Sequence, residues 1–189
     1  FATITCTLVI ALTTLLPVTA ADADFDLGKN LYSTNYIFLD ADTGQVLSAK
    51  KQDEQISIAS LTKMMTVLLA IENSSSLNQT VTITDEMIDG LYDEQASVAG
   101  YISGDTATLL DLCYAAAVPS AADAANALAI QIGGSFEKFY QMMNDKAAQL
   151  GMDHTVFKSA HGLDRDGQYS TVEDISKLLR YALQNPTFK

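Results

Sequence analysis

Cysteine and basic charge are scarce in this chain of 189 residues, which carries two Cys and 11 Lys plus Arg against 23 Asp plus Glu. Two cysteines make no disulfide framework. Cys6 lies in the apolar start, and Cys113 sits in "LLDLCYAAAV", where a lone Cys behaves as a small core hydrophobe. A formal net charge of −12, with no basic cluster beyond Lys50 and Lys51, argues against nucleic acid as a partner, because a phosphate backbone would be repelled. Low-complexity tracts, internal repeats and linkers are absent. With 48% hydrophobic and 18% charged residues, the chain reads as one globular domain or part of a larger one. His154 and His161 have no Cys or His partner at metal-site spacing, so neither a metal nor a cofactor is expected.

Charge is missing from the first 21 residues, where Asp22 is the first acid or base other than Cys6. The apolar run from Leu8 to Leu16 is too short to span a bilayer but has the length of a secretory h-region. Val18, Thr19 and Ala20 supply small residues for a peptidase. Residues 1–21 are therefore expected to be a signal peptide cleaved near Ala20 or Ala21. Its start is expected to be truncated, since there is neither an initiator Met nor a basic n-region. The alternative is a buried apolar helix. Export without disulfides fits a bacterial envelope protein.

What is present begins with "NYIFLDADTGQVLSAKKQDE", two β-like runs around Asp42-Thr43-Gly44, a hairpin signal. "LTKMMTVLLAI" (61–71) reads as a buried helix and "TVTIT" as a short strand, followed by a loop-like stretch with Gly90, Gly100 and Gly104. "TATLLDLCYAAAV" is a helix stopped at Pro119. "SAADAANALAIQI" restarts with Ser120 as N-cap, and "SFEKFYQMMNDKAAQLG" with Ser135 as N-cap. A last helix is expected from about 171 to 184. Two or three strands with exposed edges leave the sheet unfinished at Lys189.

Ser60 and Lys63, in "IASLTKMM", stand three residues apart at the head of the apolar helix. The same spacing occurs at Ser48 to Lys51 and at Ser135 to Lys138, so spacing alone is weak. Lys51 lies in the polar "KKQDEQ", and Lys138 lies beside Glu137; both are expected to be solvated. Lys63 is followed by Met64, Met65, Val67, Leu68 and Leu69. Burial and the positive end of the helix dipole both disfavour its ammonium form, which would make it a general base for Ser60. The competing reading is an N-cap serine and a lysine that snorkels to solvent. Ser120, after Pro119 at a break between helices, can point into a cleft; its plain reading is an N-cap.

Taken together, "IFLDADTGQVLSAK", "IASLTKMMT", "LLDLCYAAAVPSAADAANALA" and "FKSAHGLDRDGQYST" resemble the low-molecular-mass D-alanyl-D-alanine carboxypeptidases, penicillin-binding serine acyl-transferases of peptidoglycan metabolism. The resemblance runs from about Phe25 to Tyr181. It implies a mixed α/β (α+β) fold of the penicillin-binding, β-lactamase-like transpeptidase type, an antiparallel sheet with a helical lobe. It also implies Ser60 as the acylated nucleophile, Lys63 as its base and Ser120 as a proton relay to the leaving D-Ala. The partners implied are peptidoglycan pentapeptide and β-lactams, without nucleic acid. An oxyanion hole would use the Ser60 N–H and one amide from a sheet-edge strand. "HGLD" is expected to shape the cleft, without a direct catalytic role for His161.

Two departures from the family pattern stand out. Ser-x-Asn is expected in the second motif, but here the third position is Ala122, leaving Asp123 or Asn126 to compensate. The third motif, Lys-Thr/Ser-Gly, which would bind the substrate carboxylate, is absent; "KSAHG" at Lys158 has Ala where Gly is needed. Residues 22–189 are thus expected to be an incomplete catalytic domain whose remaining strands, and any segment for peripheral membrane association, lie past Lys189. Those 189 residues alone are expected to be poorly folded and inactive. The competing functions are a class A β-lactamase-like hydrolase, which needs an additional carboxylate, and a non-catalytic wall-binding homologue.

Overall fold

The computed structural model describes residues 31–189, so the leader expected over 1–21 lies outside the described residues. The described chain opens on the expected hairpin, in which β1 (Tyr36–Leu39) pairs antiparallel with β2 (Val46–Lys50), Tyr36 opposite Lys50. Asp40 builds the turn. Its Oδ1 accepts from the N–H and the hydroxyl of Thr43 at 2.7 and 2.6 Å, and its carbonyl accepts from Gly44 N at 2.8 Å. Gly44 has φ +78°, and the guanidinium of Arg180 occupies the space a β-carbon would need. Arg180 Nε donates to Ala41 O at 3.1 Å, tying the hairpin to the last helix.

A second antiparallel pair joins β3 (Thr80–Thr82) to β4 (Thr106–Thr108), with Val81 opposite Ala107. Thr106–Thr108 was expected to open a helix and instead forms this strand. The reason is local: Ala107 is buried against Val81, and Thr108 caps the helix that follows, its hydroxyl accepting from Asp111 N at 3.1 Å. The expected single sheet is therefore, among the described residues, two two-stranded ones.

The helices are α1 (Thr62–Asn73), α2 (Asp85–Ile88), α3 (Leu109–Ala117), α4 (Ala122–Gly133), α5 (Phe136–Gln149) and α6 (Val172–Ala182). The short α2 falls in a stretch read as loop, and α6 stops two residues before the expected Gln184. Ser135 caps α5 as expected, accepting from Lys138 N at 3.3 Å. Ser120 does not cap α4, whose N-cap position is Ala121.

Two apolar clusters flank α1. Val67 and Ala70 face Val81, Leu109, Leu112 and Leu128. Met65, Leu68 and Leu69 face Phe139, Met143, Phe157 and Leu178. A helix apolar on nearly all sides belongs inside a domain, and this is why "MMTVLLAI" shows no polar stripe. Beside it, Ala122, Ala124, Ala125, Ala127 and Ala129 are all buried, so α4 carries little side-chain bulk where it packs on α1 and α3. The polar residues at the head of α1 are thereby fixed against the loop that precedes α4.

Candidate active site

The three Ser-x-x-Lys spacings have three different outcomes. Ser48 lies in β2, and Lys51 pairs with Glu54 at 3.0 Å on the surface. Ser135 spends its hydroxyl on capping α5, and Lys138 is exposed. Only in the third does the amine meet the serine. Ser60 lies in a 3₁₀ turn, Ala59–Leu61, and Lys63 follows in the first turn of α1. Lys63 Nζ lies 3.1 Å from Ser60 Oγ and 3.2 Å from Ser120 Oγ, and donates to the His161 carbonyl at 2.7 Å.

Lys63 is 5% exposed, while Ser60 is open to solvent. Burial pulls the amine down from its ordinary 10.5 to about 8. Desolvation carries the shift. No carboxylate forms an ion pair with Lys63 among the described residues. A neutral amine there has two N–H bonds for His161 O and Ser120 Oγ, and a lone pair for the Ser60 proton.

Two of the residues flanking this amine are held in left-handed backbone. Ala59, just before Ser60, has φ +44°, and Ser120 has φ +63°. Each costs roughly 1–2 kcal/mol in a non-glycine residue, and such outliers gather at functional sites. The Ser120 conformation is also why it fails as an N-cap: the hydroxyl turns to Lys63 instead of to the amides of α4.

His161 enters through its backbone, a contribution that residue types could not reveal. Its loop is closed at the base by Val156 and Tyr169, which exchange hydrogen bonds of 2.9 and 3.2 Å. Gly162 has φ +85°, and a β-carbon there would collide with the Ala59 carbonyl, so glycine lets the loop lie on the turn that carries Ser60. The imidazole is buried, which holds its pKa down to about 4, and Nδ1 accepts from Leu163 N at 3.1 Å. The side chain is thus a neutral brace of its own loop.

Neither residue expected to compensate for Ala122 reaches the amine. Asp123 is buried and accepts from the amides of Ala99, Gly100 and Tyr101 at 3.0, 2.9 and 3.1 Å, holding residues 99–101 against α4. Asn126 donates to Met87 O at 3.1 Å, and its Oδ1 is buried without a partner among the described residues. Lys158 of "KSAHG" donates to Asp166 O at 2.8 Å within its own loop, so it is no substitute for the third motif. An apolar cavity of about 410 Å³ opens beside Ser60, lined by Leu61, Met64, Val67, Ala116 and Phe188. No group of three or more His, Cys, Asp or Glu placed to hold a metal occurs among the described residues.

This geometry can be set against known proteins. A sequence profile of the D-alanyl-D-alanine carboxypeptidase family matches residues 19–189. The chain belongs to that family. D-alanyl-D-alanine carboxypeptidase DacF of Bacillus subtilis is 33% identical over 153 residues, 77% of this chain and 38% of that protein. The D-alanyl-D-alanine carboxypeptidase of Streptomyces sp. K15 is 34% identical, covering 78% of this chain and 53% of that protein. DacC of Escherichia coli is 34% identical, covering 76% and 37%. This family member therefore spans from about two-fifths to about half the length of these curated relatives.

Among solved structures, a mutant of the Streptomyces K15 DD-transpeptidase superposes with a TM-score of 0.79 at 33% identity, over 82% of this chain and 62% of that one. Penicillin binding protein 6B of E. coli gives 0.76 at 34%, over 82% and 51%. The mixed α/β penicillin-binding fold expected for a D-alanyl-D-alanine carboxypeptidase is thus the fold observed.

Proposed function

We propose that this family member is a serine-type D-Ala-D-Ala carboxypeptidase acting on peptidoglycan stem peptides. The observation that carries the reading is one buried amine set between two serine hydroxyls, with a backbone carbonyl as its third neighbour. Neutral Lys63 takes the proton of Ser60 Oγ as that oxygen attacks the carbonyl between the two terminal D-Ala residues. The Ser60 N–H would face the developing oxyanion. As the C–N bond breaks, the proton passes from Lys63 through the Ser120 hydroxyl to the departing D-Ala amine. Water then hydrolyses the Ser60 ester, releasing the shortened peptide. A β-lactam, whose strained amide takes the place of the scissile bond, would acylate Ser60 in the same way.

The carboxypeptidases among the relatives support hydrolysis, and the transpeptidase neighbour supports the same acyl-enzyme with an amine in place of water. The envelope is the compartment in which that substrate occurs, and an exported chain with the expected leader would meet it there. No helix among the described residues is long and apolar enough to cross a membrane.

The test is covalent labelling of the natural full-length chain by fluorescent penicillin, with mass spectrometry of the modified peptide and an assay of D-Ala release. Label on Ser60, lost in Ser60→Ala, together with D-Ala release from a D-Ala-D-Ala peptide, is the expected result. Rapid turnover of penicillin without a lasting label would favour a β-lactamase-like hydrolase instead. Absence of both label and release would overturn the reading in favour of a wall-binding protein.

A further inference from the structure

The loop that hands its carbonyl to Lys63 is itself held by one side chain the mechanism does not use. Gln168 lies at the far end of this loop. Its Oε1 accepts from Lys158 N at 3.0 Å and from the Ser159 hydroxyl at 2.9 Å, and its Nε2 donates to Leu163 O at 3.1 Å. Ser159 is fully buried, and its oxygen accepts from Gly162 N at 3.1 Å. The amide of Gln168 thus ties together both arms of the turn on either side of Ala160 and His161. Those two residues present consecutive carbonyls to α1: Ala160 O accepts from Thr66 Oγ1 at 2.6 Å, and His161 O accepts from Lys63 Nζ at 2.7 Å. Lys63 and Thr66 are one helical turn apart, so the turn and the helix meet in a single register.

We propose that Gln168 is a positioning residue of this site: its amide braces residues 158–163 so that the His161 carbonyl meets the Lys63 amine and keeps water from it. The inference rests on the reading of Lys63 as the base. Gln168 touches neither Lys63 nor the serines; it acts through Ser159 and the Gly162 turn. If the brace fails, the turn lifts from α1, water replaces the carbonyl, and the amine regains the hydration whose loss lowers its proton affinity. The charged and titratable surroundings leave few other causes for such a change. The His161 imidazole is the titratable group of the loop that faces Lys63, and Arg165 and Glu94 pair with each other on the surface at 2.8 Å. From α4, Asp123 is spent on the loop amides of 99–101.

The experiment compares wild type, Gln168→Leu and Gln168→Glu. Glu keeps the acceptor for Lys158 N and Ser159, but sets an oxygen against Leu163 O and adds a negative charge to the loop. Penicillin acylation rates at pH 7 and pH 9.5 are one readout. The other is competitive acetic anhydride labelling of Lys63 against pH, which follows the amine whether or not the protein turns over substrate. Gln168→Leu is expected to lose about tenfold at pH 7, little at pH 9.5, and to move the Lys63 titration upward by about one pH unit. Gln168→Glu, which keeps the acceptor but adds an anion, is expected to stay closer to wild type than Gln168→Leu at pH 7. A role confined to folding would instead lower the rate by the same factor at both pH values and leave the Lys63 titration in place. That result, or a Leu variant indistinguishable from wild type, overturns the proposal.

Should Gln168→Leu not fold, Ser159→Ala removes the hydroxyl link alone and is expected to show the same upward displacement; an unmoved titration there is equally fatal. A wild type that takes no penicillin, but whose Lys63 titration moves on Gln168→Leu, sinks the carboxypeptidase reading and keeps the brace. Labelled Ser60 with an unmoved Lys63 does the reverse.

Discussion

A lysine amine buried without a carboxylate is costly to keep charged, and Lys63 is kept that way at the centre of the site. Its folded value of about 8 lies below the ordinary 10.5, so between those two pH values the unfolded chain holds the proton that the folded chain has released. Folded stability attributable to this group is therefore lowest below pH 8 and recovers as pH rises toward 10.5. Lys63→Met is expected to abolish penicillin acylation. The wild type should also gain stability relative to that variant between pH 8 and 10.5, by at most about 3 kcal/mol, read from urea unfolding at several pH values. A constant difference across that range would show that Lys63 is not desolvated. His161 gives a window of the same sign, but in acid. With its folded value near 4 against 6.5, the stability it contributes is complete above 6.5 and is lost as pH falls through about 4. His161→Asn, which keeps an acceptor for Leu163 N, is expected to flatten the thermal denaturation profile between pH 6.5 and 4.

At the scale of elements, the site is made where three irregular segments meet the end of one helix. The 3₁₀ turn brings Ser60, the break before α4 brings Ser120, and the loop 156–169 brings the His161 carbonyl. The close approach of the first and third depends on Gly162. Gly162→Ala forces a β-carbon onto the Ala59 carbonyl in a backbone region that alanine avoids. A loss of at least about 2 kcal/mol in stability is expected, together with acylation slowed far more than the fraction unfolded explains. An alanine variant with wild-type acylation would show that the loop and the turn are not coupled.

Across the whole molecule, α1 serves two apolar clusters at once, and the polar site sits at its N-terminal end. Phe139 is fully buried in the cluster formed with Met65 and Leu68, away from Ser60. Phe139→Ala is expected to cost about 3–5 kcal/mol in urea unfolding while leaving the pH at which acylation reaches half its maximum unchanged. A shifted midpoint would mean that the core, and not the loop, sets the environment of Lys63.

Much of this was legible in the sequence, because its signals are local. Asp42-Thr43-Gly44 dictates a turn, Ser135 caps the helix it precedes, and the unbroken apolar run after Lys63 demands burial wherever it packs. The sequence alone also singled out Ser60, Lys63 and Ser120. It misread Thr106–Thr108, where pairing with Thr80–Thr82 overrides helix propensity, and it read Ser120 as a cap when a positive φ turns the hydroxyl elsewhere. Tertiary structure alone decided that Asp123 and Asn126 are committed to backbone partners, and that the third neighbour of the amine is a carbonyl. Every residue has a carbonyl, so no choice of side chain can mark one. Only the path of the chain, 98 residues downstream of Lys63, puts that oxygen where the amine must be held.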